Sequence, residues 1–305
     1  MAAYNFLRES AVHLVIGSHR YNIKVTPELS FNQTFAEDAY EEKTLHDQTK
    51  MFQGTSITKA NPANFSFAVC LTKEKDESIV KSLLTGYDTS SGEQLLQSFD
   101  MYIVTGESTF KIEGCVITSG EFSLAKNQPL MLTVSGNGQK LSRVGNASFS
   151  LPGNLVSPSA TRNPTLSLLD VEVDGTDVPN LQAATLSVQN NISWTPFETL
   201  QNSLNVSSAS DAMYPTTYSL NNRVVSGNIT QFFTSNNSST AQTFDTSSTV
   251  AIKTLVDGST FLNANLSTCM FTKRTGQGEV FTQTFDYRLV TSPALSLIHI
   301  SEPTR

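Results

Sequence analysis

A chain of 305 residues is long enough for two ordinary domains, each able to bury a core. With 38% hydrophobic and 15% charged residues, and abundant Ser, Thr, Asn, Val and Phe, it has the profile of a sandwich or barrel of short strands with few helices. A net charge of -7 and a pI near 5.1 argue against a nucleic-acid binder working through clustered Lys and Arg. No stretch approaches the roughly 18–20 uninterrupted apolar residues of a membrane helix.

Strand signals come in pairs. Residues 12–25 read as a hairpin with Gly17 and Ser18 at the turn. Residues 29–35 put Leu29, Phe31, Gln33 and Phe35 on one side of a third strand. The period then stops. Residues 36–59 mix carboxylates with Tyr40, Leu45, Met51 and Phe52, and so long an irregular stretch between strands is expected to be functional. After a strand at 65–72, Asp76 is expected to cap a short helix with Ile79, Val80, Leu83 and Leu84 on one stripe, ended by Gly86. Further strands follow at 101–104, 109–117 and 130–135, punctuated by Gly106, Gly136 and Gly138. The Pro, Ser, Gly and Asn of 148–164 read as a linker.

The second half echoes the first. LSVQNNI (186–192) parallels LSFNQTF (29–35), and a long stretch at 193–222 with Trp194, Phe197, Met213 and Tyr214 parallels 36–59. VSGNITQFFT (225–234) stands where FSFAVCLT (65–72) stood, and LVDGSTF (255–261) matches VTGESTF (104–110). Where the first half has its helix, the second has a polar segment, 235–248, read as a loop. The expected fold is therefore mainly β: two tandem β-sandwich or barrel-like domains, the first with a short flanking helix. Their bounds are 1–147 and 165–294, joined by the linker 148–164. The last string, LSLIHISEPTR (295–305), is similar to the translation of a transposase sequencing adapter, so the native sequence is expected to stop near Ala294.

No catalytic, cofactor or metal site emerges. Setting the adapter string aside, the histidines are His13, His19 and His46, and strand positions explain the first two better than general-base work. Cys70, Cys115 and Cys269 lack metal-ligand spacing and read as small buried hydrophobes, an odd set that fits a reducing cytoplasm. The glycines at 136–138 and 276–278 complete no phosphate cradle and read as hairpin turns. Glu37, Asp38, Glu41, Glu42 and Asp47 lack the spacing of a calcium loop and read as a solvated or interface-facing loop.

Two strand-rich halves, each with a long loop after an early strand, resemble the tail tube proteins of tailed bacteriophages, of the two-domain, duplicated type. The final segment CMFTKRTGQGEVFTQTFDYRLV (269–290) looks like the closing strands of such domains. The resemblance implies a self-assembling virion protein and not an enzyme. Homotrimers would form pseudo-hexameric rings that stack into an acidic channel for DNA in transit. The other partners it implies are tail proteins such as the tape measure and tail-end proteins, with no membrane and no cofactor, and assembly in the host bacterial cytoplasm. In this reading 36–59 and 193–222 are interface loops anchored by Tyr40, Leu45, Phe52, Trp194, Phe197 and Tyr214. The competing reading has these residues covering the chain's own sandwich. Alternatives for the whole chain are another virion ring component, such as a distal tail or baseplate protein, or a secreted adhesin or carbohydrate-binding sandwich.

Overall fold

The computed structural model describes residues 7–40, 54–71, 75–88, 95–125, 128–157, 168–195, 213–234, 248–256, 259–290 and 298–300. Its first half contains β1 (Ala11–Ile16), β2 (His19–Ile23), β3 (Ser30–Asn32), β4 (Phe35–Tyr40), β5 (Gly54–Ala60), β6 (Ala63–Cys70) and helix α1 (Lys75–Thr85). It continues through β7 (Tyr87–Asp88), β8 (Leu95–Leu96), β9 (Phe99–Val104), β10 (Thr109–Ala125), β11 (Met131–Gly138), β12 (Lys140–Gly145) and β13 (Asn154–Leu155). The second half contains β14 (Leu168–Val173), β15 (Thr176–Asp177), β16 (Leu181–Trp194), β17 (Tyr218–Phe232), β18 (Ser248–Val256), β19 (Ser259–Gly276), β20 (Thr282–Leu289) and β21 (Ile298–Ile300). The protein is mainly β, as its composition implies, with large sheets packed as sandwiches.

Each half is built around one long strand that serves two sheets. The first part of β10 pairs with β9 and β12, in the sheet that also holds β1 and β2; its last part pairs with β11, whose other neighbour is β6 and then β3. A register shift between Ile117 and Ser119 marks the bend, the local kink that a β-bulge supplies. Strand β19 repeats this plan. Its first part pairs with β18, which leads to β14 and β15, and its last part pairs with β20, then β17, then β16.

The duplication reaches individual residue pairs. Leu14↔Met101 is matched by Val171↔Ile252, Val104↔Thr109 by Leu255↔Thr260, and Phe31↔Phe65 by Val188↔Val225. The β14–β15 hairpin, which turns at Asp174 and Gly175 with φ of 51° and 72°, repeats β1–β2, which turns at Gly17 with φ of 56°. Strand β21 pairs with Leu262–Ala264 of β19, the edge that β12 occupies on β10. It lies inside the string read as an adapter.

Several expectations need correcting. Residues 36–59 are not wholly irregular: β4 and β5 pair as a two-stranded ribbon, with Tyr40 opposite Gly54. An apolar period marks strands with one buried face, and a ribbon paired only with itself does not require it. Likewise 193–222 is strand at both ends, since β16 runs to Trp194 and β17 starts at Tyr218. Gly136 and Gly138 are not in a turn but within β11, where a Cβ would lie 2.3 Å from the Phe65 ring and 2.4 Å from Ile112. Asp76 sits inside the first turn of α1 rather than before it. Part of the linker is laid down as β13, parallel to β2, with Arg20 donating to the Leu151 carbonyl at 2.6 Å. The polar segment 235–248 lies outside the described residues apart from Ser248, the first residue of β18.

One cluster of apolar side chains runs through both halves, from Val12, Phe67 and Leu83 to Ile229, Ile252 and Tyr287. Cys115 and Cys269 belong to it, and burial pushes the Cys269 thiol up to about 12. His13 in β1 is half-buried, and its Nδ1 has no partner among the described residues. Burial first, and the nearby Arg20 second, hold its pKa below the usual 6.5. Below pH 6.5 the unfolded chain therefore takes up a proton that the folded chain resists, so stability is full above that pH and falls as pH drops further. Urea midpoints measured from pH 8 to pH 5 should decline more in the parent than in His13→Gln; equal slopes would refute the assignment.

Candidate assembly interface

The two halves join edge to edge. On the side of β10 away from β11, Ser119–Ala125 pair with Ala183–Gln189 of β16 through seven antiparallel positions. The order β3-β6-β11-β10-β16-β17-β20-β19 is thus one sheet of eight strands crossing both halves. Because directly opposed residues share a face, the register defines rows across it. One row, Val69, Leu132, Phe122, Leu186, Gly227, Tyr287, Phe271, faces the core.

Gly227 in that row admits no side chain. A Cβ there would lie 2.0 Å from the Thr185 carbonyl and 2.4 Å from the Tyr287 hydroxyl, which itself donates to that carbonyl at 2.7 Å. The aromatic ring covers the glycine and fills the gap it leaves in the sheet.

The opposite face reads differently. Its rows are Thr133, Glu121, Ser187, Ser226, Arg288 and Ser123, Thr185, Asn228, Asp286, Thr272. A hydroxyl- and amide-rich face thus spans the joint without a break. Glu121, Ser123, Thr133, Thr272 and Arg288 are exposed, and the other residues of these rows are half-buried. Arg274, beside these rows, donates to both Asp286 oxygens at 2.6 and 2.7 Å.

Two further sets of contacts cross the joint. Arg223 of β17 reaches the C-terminal end of α1, where its guanidinium donates to the carbonyls of Thr85 at 2.7 Å, Leu84 at 3.3 Å and Gly86 at 3.4 Å, and to Asn190 Oδ1 at 2.6 Å. It lies 4.0 Å from the centre of the Tyr87 ring. Burial lowers its pKa. Buried Asn190 donates in turn to the Leu84 and Ile117 carbonyls. At the far end of the β16–β17 hairpin, Gln139 donates to the Thr216 carbonyl at 3.0 Å, Lys140 lies 4.9 Å from the centre of the Tyr214 ring, and Tyr218 donates to the Leu96 carbonyl at 3.0 Å.

Of the six anchors expected from sequence, Trp194 and Tyr214 are described in full, and both are half-buried against their own chain. Trp194 packs on Tyr218 with ring centres 5.3 Å apart. Tyr40 is the last residue of β4, while Leu45, Phe52 and Phe197 lie outside the described residues. Glu37 and Asp38 are in β4, and Glu41, Glu42 and Asp47 are likewise outside. Sequence reasoning missed Arg223 and Asn190. The signal available was an Arg in a strand otherwise short of charge.

Asp170, Glu172 and Asp177 come together on β14 and β15, but Lys253 already pairs with Glu172. Among the described residues no helix is long and apolar enough to cross a membrane.

Residues 2–305 match the Bacteriophage Baseplate Tube Protein Family. The chain belongs to that family. It is accordingly a structural component of a phage tail or baseplate, and so of the virion, and assembles with other proteins of that apparatus. No curated protein matches the chain.

Proposed function

We propose that this baseplate tube family member is a wall subunit of a phage tail tube, and that copies of it close into stacked rings around a channel for DNA. The observation that carries the reading is the eight-strand sheet shared by both halves, with one core face and one polar face continuous across the joint. Three copies would contribute twenty-four strands. At ~4.8 Å per strand the wall has a circumference of roughly 115 Å and a backbone diameter of about 37 Å before strand tilt widens it. Two copies would leave about 24 Å, mostly filled by side chains. A pseudo-sixfold trimer therefore suits a DNA duplex.

In this reading the polar face lines the channel, and the acidic lumen expected from the overall charge gives way to a neutral one. Glu121 and Asp286 stand against Arg274 and Arg288 among hydroxyls and amides. With Arg274 tied to a carboxylate, one fewer cation is free to hold phosphates. The second-half loop supports the interface role of both loops, because its base already grips the neighbouring half through Thr216, Tyr214 and Tyr218. Tyr40, Leu45 and Phe52 would do the same between chains, with the tape-measure and tail-end proteins as further partners.

Negative-stain electron microscopy of the purified full chain tests this. Hollow tubes or stacked rings with sixfold-looking walls are the expected result. Rings that stop at one layer would favour a ring component of the baseplate, and a dispersed monomer at high concentration would count against a tube.

A further inference from the structure

Resting on that reading, we infer that the joint between copies repeats the joint inside the chain: the edge of β19 opposite β20 pairs with the edge of β3 opposite β6 in the next copy. Inside the chain, the last part of β10 pairs with β16. The duplication assigns β10 to β19 and β16 to the segment that contains β3. Among the described residues the last part of β19 has β20 on one edge and no strand on the other, and β3 has β6 on one edge and no strand on the other. Such edges offer rows of unpaired backbone donors and acceptors, which soluble proteins otherwise cover or blunt.

The internal register fixes the external one. Gly120↔Val188 becomes Phe271↔Phe31, Glu121↔Ser187 becomes Thr272↔Ser30, and Ser123↔Thr185 becomes Arg274↔Glu28. The chemistry agrees at each position. Phe271 and Phe31 are both half-buried at the ends of the shared core, and an aromatic cross-strand pair would close it. Arg274 and Glu28 are both exposed and opposite in charge. Pro27 follows on the β3 side and has no N–H to continue the ladder, so the joint is short. The contact is heterologous, one edge against a different edge, and generates a ring when the rotation between copies closes, which the wall geometry proposed above sets at three.

Disulfide trapping tests the register. In one chain residues 30 and 272 lie on strands seven spacings apart, roughly 33 Å along the sheet, so a bond between introduced cysteines has to join two chains. After mild oxidation, Ser30→Cys with Thr272→Cys should give bands of two and three chains on a non-reducing gel. Ser30→Cys with Lys273→Cys, whose side chains leave opposite faces, should give none. Rings seen by microscopy without the 30–272 bond would overturn this joint and leave the tube reading standing; absence of both rings and bond would overturn both. A ladder beyond three chains would refute closure by three. Charge reversal gives a second readout: Glu28→Arg, which would set a second arginine against Arg274, should weaken assembly roughly 3- to 10-fold, and Glu28→Asp should not. Unchanged assembly in Glu28→Arg would overturn the pairing.

Discussion

Replacing Arg223 with Ala should destabilise the fold by roughly 3–4 kcal/mol, an effect far beyond that of an ordinary surface arginine. Its guanidinium meets four oxygens at once: three carbonyls at the end of α1 and the Asn190 side chain. The last carbonyls of a helix have no partner within it, and they form the negative end of its dipole. Removing the cation orphans the Thr85 and Gly86 carbonyls and leaves Asn190 Oδ1 buried without its donor. Arg223→Lys should recover less than half of the loss, because an ammonium cannot span that fork of acceptors. Urea unfolding followed by far-ultraviolet circular dichroism and by the fluorescence of Trp194, the sole tryptophan, measures the effect. Because circular dichroism reports the strands of both halves and Trp194 the second half alone, the two transitions should coincide in the parent and separate in Arg223→Ala. A shift below about 0.5 kcal/mol would mean that the contacts crossing the joint contribute little.

Much of this architecture is legible in the sequence where one face of a strand is buried and the other is not. Val12 and Leu14 against Gly17 and Ser18 announce β1, its turn and β2, and Val80, Leu83 and Leu84 announce the buried stripe of α1. The echo of VTGESTF in LVDGSTF marks the start of the two long strands, and the structure confirms it to the residue pair. What the sequence hides is where pairing is decided by backbone geometry rather than by side-chain period. The β4–β5 ribbon has no apolar alternation, and the β14–β15 hairpin repeats β1–β2 with almost no shared residues. The joint is hidden for another reason. Ser119–Ala125 and Ala183–Gln189 each read as an ordinary alternating strand, and nothing in either names the other as its neighbour. Arg223 stands out as the one charge in its strand, but its partners do not, since most of them are carbonyls, which every residue carries.

Substituting both Gln231 and Gln283 by Leu should stabilise the protein by roughly 1–3 kcal/mol, while either substitution alone should destabilise it by about as much. Both glutamines are fully buried and share one hydrogen bond of 3.0 Å, from Gln231 Nε2 to Gln283 Oε1. Gln231 Oε1 and Gln283 Nε2 have no partner among the described residues. By the register of the duplication they stand where the first half carries Leu71 and Leu130, which are buried and joined by a backbone bond of 2.8 Å. The same site in the same fold is thus filled once by a leucine pair and once by an amide pair that leaves a donor and an acceptor unmet. Single replacement removes the one bond and strands the remaining amide in an apolar site; double replacement removes the desolvated groups altogether. A double-mutant cycle read from urea midpoints should therefore show a coupling whose size exceeds either single effect. If the double variant is instead less stable than both singles, the amides have partners that the bond between them does not reveal. If it is more stable yet no longer forms tubes, the cost of the buried amides is tied to assembly, and the second half departs from the first because this end of its sheet meets another protein.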